Sequence, residues 1–355
     1  MPRGPFTGNC GRGCGNASGT GRRFSLSSWS QNMRAPRFDF TVGAFIGQPT
    51  QFGDSTVTFD EMTARIARGN GFIAALDQSG GSTPKALRAY GVPDEEWGGD
   101  EEMFAKIHQM RCRIIRSPAF SGEKVVGAIL FEKTMDDAVD GISVPQALIA
   151  KGVAPFLKID KGLEEEASGV QLMKPMPGLD ALLERAKALG VYGTKERSVI
   201  NAANREGIAA VVAQQFEVGR QVLAHAMMPI LEPEYSIKAS DRAEGEAILC
   251  EEILAQLDAL PDGQKVMLKL SLPVEANFFR PLVEHPKVLK VVALSGGYSR
   301  DEACVELARN DGMIASFSRA LLDSLRAQMS DAQFDAALGE AIDAIHRAST
   351  QKVAA

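Results

Sequence analysis

The 355-residue sequence contains no apolar run that approaches the roughly 18 residues of a membrane-spanning helix, so a membrane protein of that kind is not expected. Cysteine is also scarce. The five cysteines are odd in number and scattered along the chain, which indicates a reduced compartment without a disulfide framework.

Histidine is equally rare, with four residues: His108, His225, His285 and His346. Each falls in a predicted helix or loop, away from the predicted strand ends. No cluster of histidine and cysteine has the spacing of metal ligands. A bound metal is therefore not predicted.

Acidic residues are missing from the first 38 positions. Residues 1–58 carry six arginines and two aspartates, a net charge of +4, so the remainder of a chain with net charge −6 carries −10. An acidic body argues against a general nucleic-acid-binding role, which needs a basic face. An anionic substrate would have to be held by a local cluster of basic groups.

The N-terminal segment is rich in glycine, serine and arginine and has no sustained period. Three interpretations fit: a transit peptide, a disordered tail, or a start placed too far upstream, with Met33 or Met62 as the true beginning. We expect residues 1–55 to be a targeting or disordered extension, and residues 56–355 to form the folded domain. We expect the protein to be cytoplasmic, or to lie in an organelle if the extension is a transit peptide.

Eight short apolar runs predict buried strands. They are GFIAALD (71–77), VVGAILFE (125–132), PFLKID (155–160), VYGTKERSVI (191–200), MMPILEPE (227–234), KVMLKL (265–270), VLKVVALSGG (288–297) and MIASFSR (313–319). Each is followed by a stretch of helical period, the longest at 100–117, 203–226, 240–258, 299–310 and 330–348. Eight such units predict an α/β fold of the (β/α)₈ barrel type.

A doubly wound open sheet is the alternative fold. It would normally show a glycine-rich turn after its first strand, and DQSGGSTPK (77–85) stands at that position. This segment matches neither GxGxxG nor GxxxxGK[ST], the two nucleotide-binding patterns.

Polar residues come in i, i+2 pairs at the ends of five predicted strands. The pairs are Asp77 with Ser79, Lys158 with Asp160, Lys195 with Arg197, Glu232 with Glu234, and Lys269 with Ser271. Residues two apart on a strand point to the same face. Five neighbouring strands with such pairs would ring the barrel mouth with lysines, an arginine and carboxylates, where barrel enzymes have their active sites.

Lys269 is the best candidate nucleophile in this ring. It lies in VMLKLSL (266–272) among large apolar residues. Burial and neighbouring cations lower a lysine pKa and leave a neutral amine that forms imines with carbonyl substrates. Glu232 is placed to donate and accept the protons that imine formation requires. The alternative for Lys269 is a structural salt bridge to Asp160 or Glu234.

Two segments are candidates for phosphate binding. LSGGYSR (294–300) ends a strand in Ser-Gly-Gly and then opens a helix, so backbone N–H groups and a helix N-terminus would face one spot. SFSRAL (316–321) is expected to place Arg319 at the start of the last barrel helix, where its guanidinium could bind phosphate. Both follow the seventh and eighth strands, the usual phosphate position in barrels.

Several segments together resemble the motif series of class I fructose-bisphosphate aldolases, especially their bacterial branch. They are GFIAALDQSGGSTPKAL, VGAILFEKTMD, PFLKIDKG, GTKERS, PILEPE, VMLKL, VALSGGYSR and IASFSRAL, in order from about residue 60 to 350. The resemblance implies metal-independent, reversible cleavage of fructose 1,6-bisphosphate to dihydroxyacetone phosphate and glyceraldehyde 3-phosphate, with no cofactor beyond the Schiff base on Lys269. The partner would be a sugar phosphate, and the chain a monomer or a homo-oligomer.

The resemblance also implies roles for individual residues. Lys269 would form the Schiff base, Glu232 would be the acid/base, and Asp77 would be the carboxylate at the C3–C4 cleavage end. Lys158, Lys195, Arg197 and Glu234 would form the supporting charged network, and Ser295, Gly296, Arg319, Ser82 and Lys85 would be the phosphate contacts.

The sequence departs from the animal enzymes at two places. Ser318 and Phe317 stand where those enzymes carry glycine and tyrosine, and the chain ends in TQKVAA without their terminal tyrosine. The group that moves the proton at substrate carbon 1 is therefore open. The alternative functions are another Schiff-base barrel enzyme, such as a deoxyribose-phosphate aldolase or a transaldolase, and a non-catalytic barrel used as a scaffold.

Overall fold

Eight parallel strands form the centre of the computed structural model, which describes residues 57–354. In chain order they are β1 Phe72–Leu76, β2 Val125–Leu130, β3 Ala154–Lys158, β4 Gly193–Ile200, β5 Met228–Tyr235, β6 Val266–Ser271, β7 Val288–Leu294 and β8 Ile314–Ala315. Each strand pairs in parallel with the next. Just past β8, the carbonyl of Phe317 accepts the N–H of Ala75 in β1 at 3.2 Å. The nearly closed ring confirms the predicted (β/α)₈ barrel.

One helix precedes β1, and the others follow the strands and surround them. They are α1 Phe59–Arg68, α2 Ser82–Ala89, α3 Asp100–Arg116, α4 Glu132–Met135, α5 Val144–Ala150, α6 Leu179–Ala188, α7 Arg205–Ala224, α8 Arg242–Ala259, α9 Arg280–Val283, α10 Arg300–Ala308, α11 Arg319–Leu322 and α12 Asp331–Thr350. The five long helices expected from the helical period are confirmed, each within about two residues at either end. Among the described helices none is long and apolar enough to cross a membrane.

The SFSRAL segment was predicted wrongly. Arg319 begins the four-residue helix α11, and the last long helix, α12, starts only at Asp331. The reason is the cap at Ser330, whose side chain accepts the N–H of Gln333 while the Gln333 side chain accepts the Ser330 N–H. Such a reciprocal cap fixes where a helix begins.

The inside of the barrel is apolar at its lower levels. Ile73, Phe156, Ile230 and Met267 meet there with other inward-facing residues, and Ile66 of α1 packs against them from the amino-terminal side. Each fully buried aliphatic or aromatic side chain of this kind contributes roughly 1.5–3 kcal/mol. A separate apolar layer lies between the strands and the helices.

Phe156 occupies space that glycines leave open. A Cβ atom built on Gly127 of β2 or on Gly193 of β4 would lie 2.9 Å from an atom of the Phe156 ring. The two glycines therefore let one large side chain of β3 fill the width of the barrel. The inward face of β3 continues two residues further to Lys158, so the same alternation that places Phe156 in the core places a lysine at the mouth.

The predicted N-terminal extension, residues 1–55, lies outside the described residues, so its boundary with the barrel stays a prediction. Met62, one of the two alternative start positions, is buried in α1. That helix has a capping box formed by Thr58 and Glu61. A chain beginning at Met62 would lack this cap and the first helical residues.

Candidate active site

Three buried side chains and the partly buried Asp77 form a continuous ionic chain at the carboxyl ends of the strands. The ammonium nitrogen of Lys195 lies 2.7 Å from Oδ2 of Asp77 and 2.9 Å from Oε2 of Glu232. Oε1 of Glu232 lies 3.0 Å from Nζ of Lys269. The side chains of Lys195, Glu232 and Lys269 are each no more than 5% exposed. Glu232 therefore bridges two lysines.

Two further ion pairs belong to the same ring. Lys158 Nζ lies 2.5 Å from Oδ1 of Asp160, and Arg197 pairs with Glu234. The backbone N–H of Arg197 donates to Oδ2 of Asp160 at 3.3 Å. With Lys195, Lys269, Asp77 and Glu232 included, the ring holds four cations and four carboxylates, so its net charge is zero when every group is ionised.

The strands that contribute are not five neighbours. β3, β4, β5 and β6 are consecutive, but β2 separates them from β1 and carries no such pair. Asp77 follows β1 and reaches Lys195 of β4 across the interior of the barrel, because both side chains point inward. The structural salt bridge considered for Lys269 also has a different partner, since the contact is with Glu232 and not with Asp160 or Glu234.

The ionic chain fixes the charge of its members. Burial acts to lower the pKa of Lys195, but the carboxylates of Asp77 and Glu232 outweigh it and raise that pKa above its usual value. Burial acts to raise the pKa of Asp77, and the ammonium groups of Lys195 and Lys269 more than reverse it. The pKa of Glu232 is lowered by the same two lysines against the same effect of burial. Near neutral pH, Lys195 is a cation and both carboxylates are ionised.

Strand β5 separates from β6 where Glu232 and Lys269 stand. The pairing of the two strands ends at Leu231 and Leu268, one residue before each. The buried amide of Gln215, in α7, accepts the backbone N–H of Glu232 at 3.2 Å. The position of Glu232 is thus set by β4 and α7, and the gap between β5 and β6 leaves room for the two side chains.

The Ser-Gly-Gly turn after β7 lies beside Arg319. Gly296 and Gly297 have φ angles of +59° and +132°, which L side chains rarely adopt. A Cβ atom on Gly297 would lie 3.7 Å from Nη2 of Arg319, so the guanidinium rests against the turn. Ser295 is buried at the start of the turn. The structure therefore places Arg319 beside the turn that contains Ser295 and Gly296, and their role as phosphate contacts stays a prediction.

The helix that follows this turn does not offer its N-terminus to an anion. Ser299 and Glu302 form a capping box at the start of α10, and Asp301 adds a second acidic side chain to the first turn. The N–H groups of Gly297 and Tyr298 also donate to the Ser295 carbonyl. The expectation of a phosphate at this turn and helix N-terminus stays a prediction.

Ser82 and Lys85 lie on α2, after β1. The Ser82 hydroxyl donates to the carbonyl of Ser79 and accepts its N–H. Lys85 is exposed. Within the described part of the chain neither residue makes a hydrogen bond or ion pair with the ring, so their role as phosphate contacts stays a prediction.

Sequence reasoning missed two buried polar residues near the site, Gln78 and Arg111. Arg111 is 1% exposed and donates to the carbonyl of Gln78. A signal was present in α3, where Arg111 follows Ile107 by four residues and precedes Ile114 by three. A charged residue on an apolar helix face is a departure from the usual pattern.

No group of three or more histidine, cysteine, aspartate or glutamate side chains suited to hold a metal ion occurs between residues 57 and 354. The histidines lie on α3, at the end of α7, in the loop after α9 and on α12, away from the strand ends.

Comparison with known proteins gives a family match. The model of the family described as fructose-bisphosphate aldolase class-I matches residues 59–275, more than half of the chain. Asp77, Lys195, Glu232 and Lys269 fall inside the matched region. Ser295, Gly296 and Arg319 lie beyond it.

Two of the solved structures that are similar to the chain come from Plasmodium falciparum and Corynebacterium glutamicum. A Plasmodium falciparum fructose-bisphosphate aldolase, solved in complex with TRAP and a small-molecule inhibitor, is 19% identical over 86% of this chain and 99% of its own, with a TM-score of 0.62. At this identity the likeness shows the barrel fold alone. A Corynebacterium glutamicum protein is 15% identical over 81% of this chain and 91% of its own. Its TM-score of 0.44 is too low to support a conclusion about the fold.

Proposed function

The chain belongs to the class I fructose-bisphosphate aldolase family, and on that premise we propose that it cleaves fructose 1,6-bisphosphate itself, without a metal ion, through a Schiff base on Lys269. The products are dihydroxyacetone phosphate and glyceraldehyde 3-phosphate, and the reaction is reversible. The observation that carries the proposal is the buried Glu232 carboxylate, 2.9 Å from the ammonium of Lys195 and 3.0 Å from Nζ of Lys269.

The choice of Lys269 among the lysines follows from their partners. Lys195 lies between two carboxylates that keep it charged, and Lys158 is paired with Asp160 at 2.5 Å. Lys269 contacts only Glu232 in the described part of the chain, and that carboxylate is shared. A nucleophilic amine must lose its proton to a nearby base. Lys269 has such a base in Glu232, and it contacts one carboxylate where Lys195 contacts two.

The steps follow from these contacts. Glu232 takes a proton from Lys269, and the free amine attacks the C2 carbonyl of the substrate. The attacking nitrogen passes a second proton to the resulting alkoxide, which becomes the carbinolamine hydroxyl. The proton held by Glu232 then goes to this hydroxyl, which leaves as water and gives the iminium ion. Asp77 accepts the proton of the C4 hydroxyl as the C3–C4 bond breaks, and the bonding electrons move into the iminium to form an enamine. Protonation of the enamine carbon and addition of water release dihydroxyacetone phosphate.

The positive charge that attracts a bisphosphate comes from outside the ring. The ring carries no net charge when ionised, whereas Arg319 and Lys85 are exposed cations. Arg319 stands beside the turn after β7, and Lys85 is on α2 after β1. A phosphate contact at each of these two places, as proposed, favours a bisphosphate over the single phosphate taken by a deoxyribose-phosphate aldolase or a transaldolase. A non-catalytic barrel would not need a lysine and a proton carrier in contact.

We expect cleavage of fructose 1,6-bisphosphate to be insensitive to EDTA, because the iminium ion supplies the electron sink that a zinc ion supplies in metal-dependent enzymes. The measurement is the rate of triose phosphate formation, coupled to a dehydrogenase, before and after dialysis against the chelator. A loss of activity that zinc restores would overturn the mechanism. Absence of any cleavage by the folded chain would overturn the substrate assignment.

Arg319→Ala is expected to weaken the binding of phosphorylated ligands by about 10- to 100-fold, the range for one charged hydrogen bond. The fold should survive, because the side chain is exposed. The inhibition constant of dihydroxyacetone phosphate measures the effect. Arg326→Ala is the matched control, since Arg326 is another exposed arginine that binds only the carbonyls of Asp323 and Leu325 in the described residues. An inhibition constant unchanged by Arg319→Ala would move the phosphate site elsewhere.

A further inference from the structure

Arg111 is a fully buried cation that is not paired with a carboxylate in the described residues. Its guanidinium donates to Thr134 Oγ1 at 2.6 Å, to the Gln78 carbonyl at 2.5 Å and to Gln78 Oε1 at 3.2 Å. Burial lowers its pKa to about 10, and the charge of Asp77 opposes that shift. Burial of an unpaired charge costs free energy of folding, and these charged hydrogen bonds offset part of that cost.

Gln78 continues the chain of hydrogen bonds towards the phosphate residues. Its Oε1 accepts from Arg111, so its Nε2 is free to donate, and it donates to Ser318 Oγ at 2.6 Å and to the Ala75 carbonyl at 3.1 Å. Gln78 is buried and follows Asp77 directly. Ser318 directly precedes Arg319, and its hydroxyl makes no cap for α11. The hydroxyl is thus used by Gln78.

This chain of hydrogen bonds crosses the part of the barrel where backbone pairing is weakest. Strand β8 has two residues, and the N–H of Ala75 reaches the carbonyl of Phe317 beyond the strand end. Thr134 follows β2, Gln78 follows β1, and Ser318 follows β8. The Arg111 guanidinium and the Gln78 amide together therefore connect the segments that follow β1, β2 and β8.

We propose that the hydrogen-bond chain from Arg111 through Gln78 to Ser318 positions Arg319, and so sets the affinity of the site for the phosphate end of the substrate. The proposal rests on the proposed function of Arg319. It also accounts for Ser318 where the animal enzymes have glycine: the buried Gln78 amide donates two hydrogen bonds, and a glycine would leave it with only the one to the Ala75 carbonyl. Ser318 supplies the acceptor that the buried Gln78 amide uses.

Ser318→Ala removes the acceptor without adding backbone freedom, and Gln78→Met removes the amide at similar length. We expect each to raise the KM for fructose 1,6-bisphosphate by about 3- to 10-fold, the effect of one hydrogen bond. The double variant should be no worse than the worse single one, because both break the same chain. Ser324→Ala is the control, since Ser324 accepts only a 3.4 Å hydrogen bond from Arg300 in the described residues.

A second readout separates positioning from general damage. Borohydride trapping of Lys269 with unphosphorylated dihydroxyacetone should proceed at the parent rate in Ser318→Ala, because that ligand has no phosphate for Arg319. Equal losses with both ligands, additive effects in the double variant, or an unchanged KM would each overturn the proposal. If Gln78→Met fails to fold, Ser318→Ala carries the test alone. Failure of the proposed function is seen separately, as absence of cleavage by the parent chain.

Discussion

Lys269→Met abolishes cleavage and leaves the barrel folded: this is the expected result for the residue that forms the imine. Without the amine there is no electron sink at C2, and removal of a catalytic nucleophile lowers kcat by about four orders of magnitude or more. Methionine has a similar length and suits the apolar neighbours of Lys269. In the variant, Lys195 remains as the counterion of Glu232, at 2.9 Å. The measurements are kcat with fructose 1,6-bisphosphate and the midpoint of thermal unfolding.

Lys290→Met is the matched control for this variant. Lys290 also lies on a barrel strand, and burial lowers its pKa. Its Nζ lies close to Gly69 after α1, at the amino-terminal end of the barrel and away from the carboxylates. We expect its replacement to leave kcat unchanged, because burial alone does not supply a proton acceptor. Activity retained by Lys269→Met would refute the assignment of the nucleophile.

Glu232→Gln is expected to lower kcat by about 10²- to 10⁴-fold, the usual contribution of a general acid/base. The amide cannot take the proton of Lys269 or return it to the leaving hydroxyl. Some stability is lost as well, because Lys269 loses the carboxylate at 3.0 Å, while Lys195 keeps Asp77 at 2.7 Å. The rate of borohydride inactivation with dihydroxyacetone phosphate measures Schiff-base formation directly, and it should fall in parallel with kcat.

Glu234→Gln is the comparison for Glu232→Gln. Glu234 is two residues further along the same strand, is more exposed, and pairs with Arg197. Its replacement should have the smaller effect on the rate of Schiff-base formation, because it has no contact with Lys269 in the described structure. Equal effects of the two variants would mean that the net charge of the ring matters, and not the position of one carboxylate.

The barrel and its mouth could be predicted from the sequence because both depend on local patterns. Alternation along a strand fixes which residues share a face, so Lys195 and Arg197, or Glu232 and Glu234, had to point the same way. Apolar runs marked the eight strands, and helical period marked the long helices between them. Strong caps such as Ser330 with Gln333 then fixed the ends to within about two residues.

Contacts between distant segments could not be predicted. Nothing near Asp77 in the sequence indicates that it meets Lys195 across the barrel, since that contact depends on strand order and barrel width. The hydrogen bonds from Arg111 through Gln78 to Ser318 join three segments that are far apart in the chain. The only sign of them in the sequence is one arginine on the apolar face of a helix. The acidic cap at the start of α10, formed by Ser299 and Glu302, is a local feature of the sequence.

The central claim is that Lys269 carries the substrate covalently. It is tested most directly by reducing a mixture of the chain and dihydroxyacetone phosphate with borohydride and locating the added mass by peptide mapping. The account predicts one adduct per chain, on the peptide that contains Lys269, and no adduct in Lys269→Met. An adduct on Lys195 or Lys158 would contradict the assignment of roles, and a chain that cleaves fructose 1,6-bisphosphate with no adduct on any lysine would contradict the Schiff-base mechanism itself.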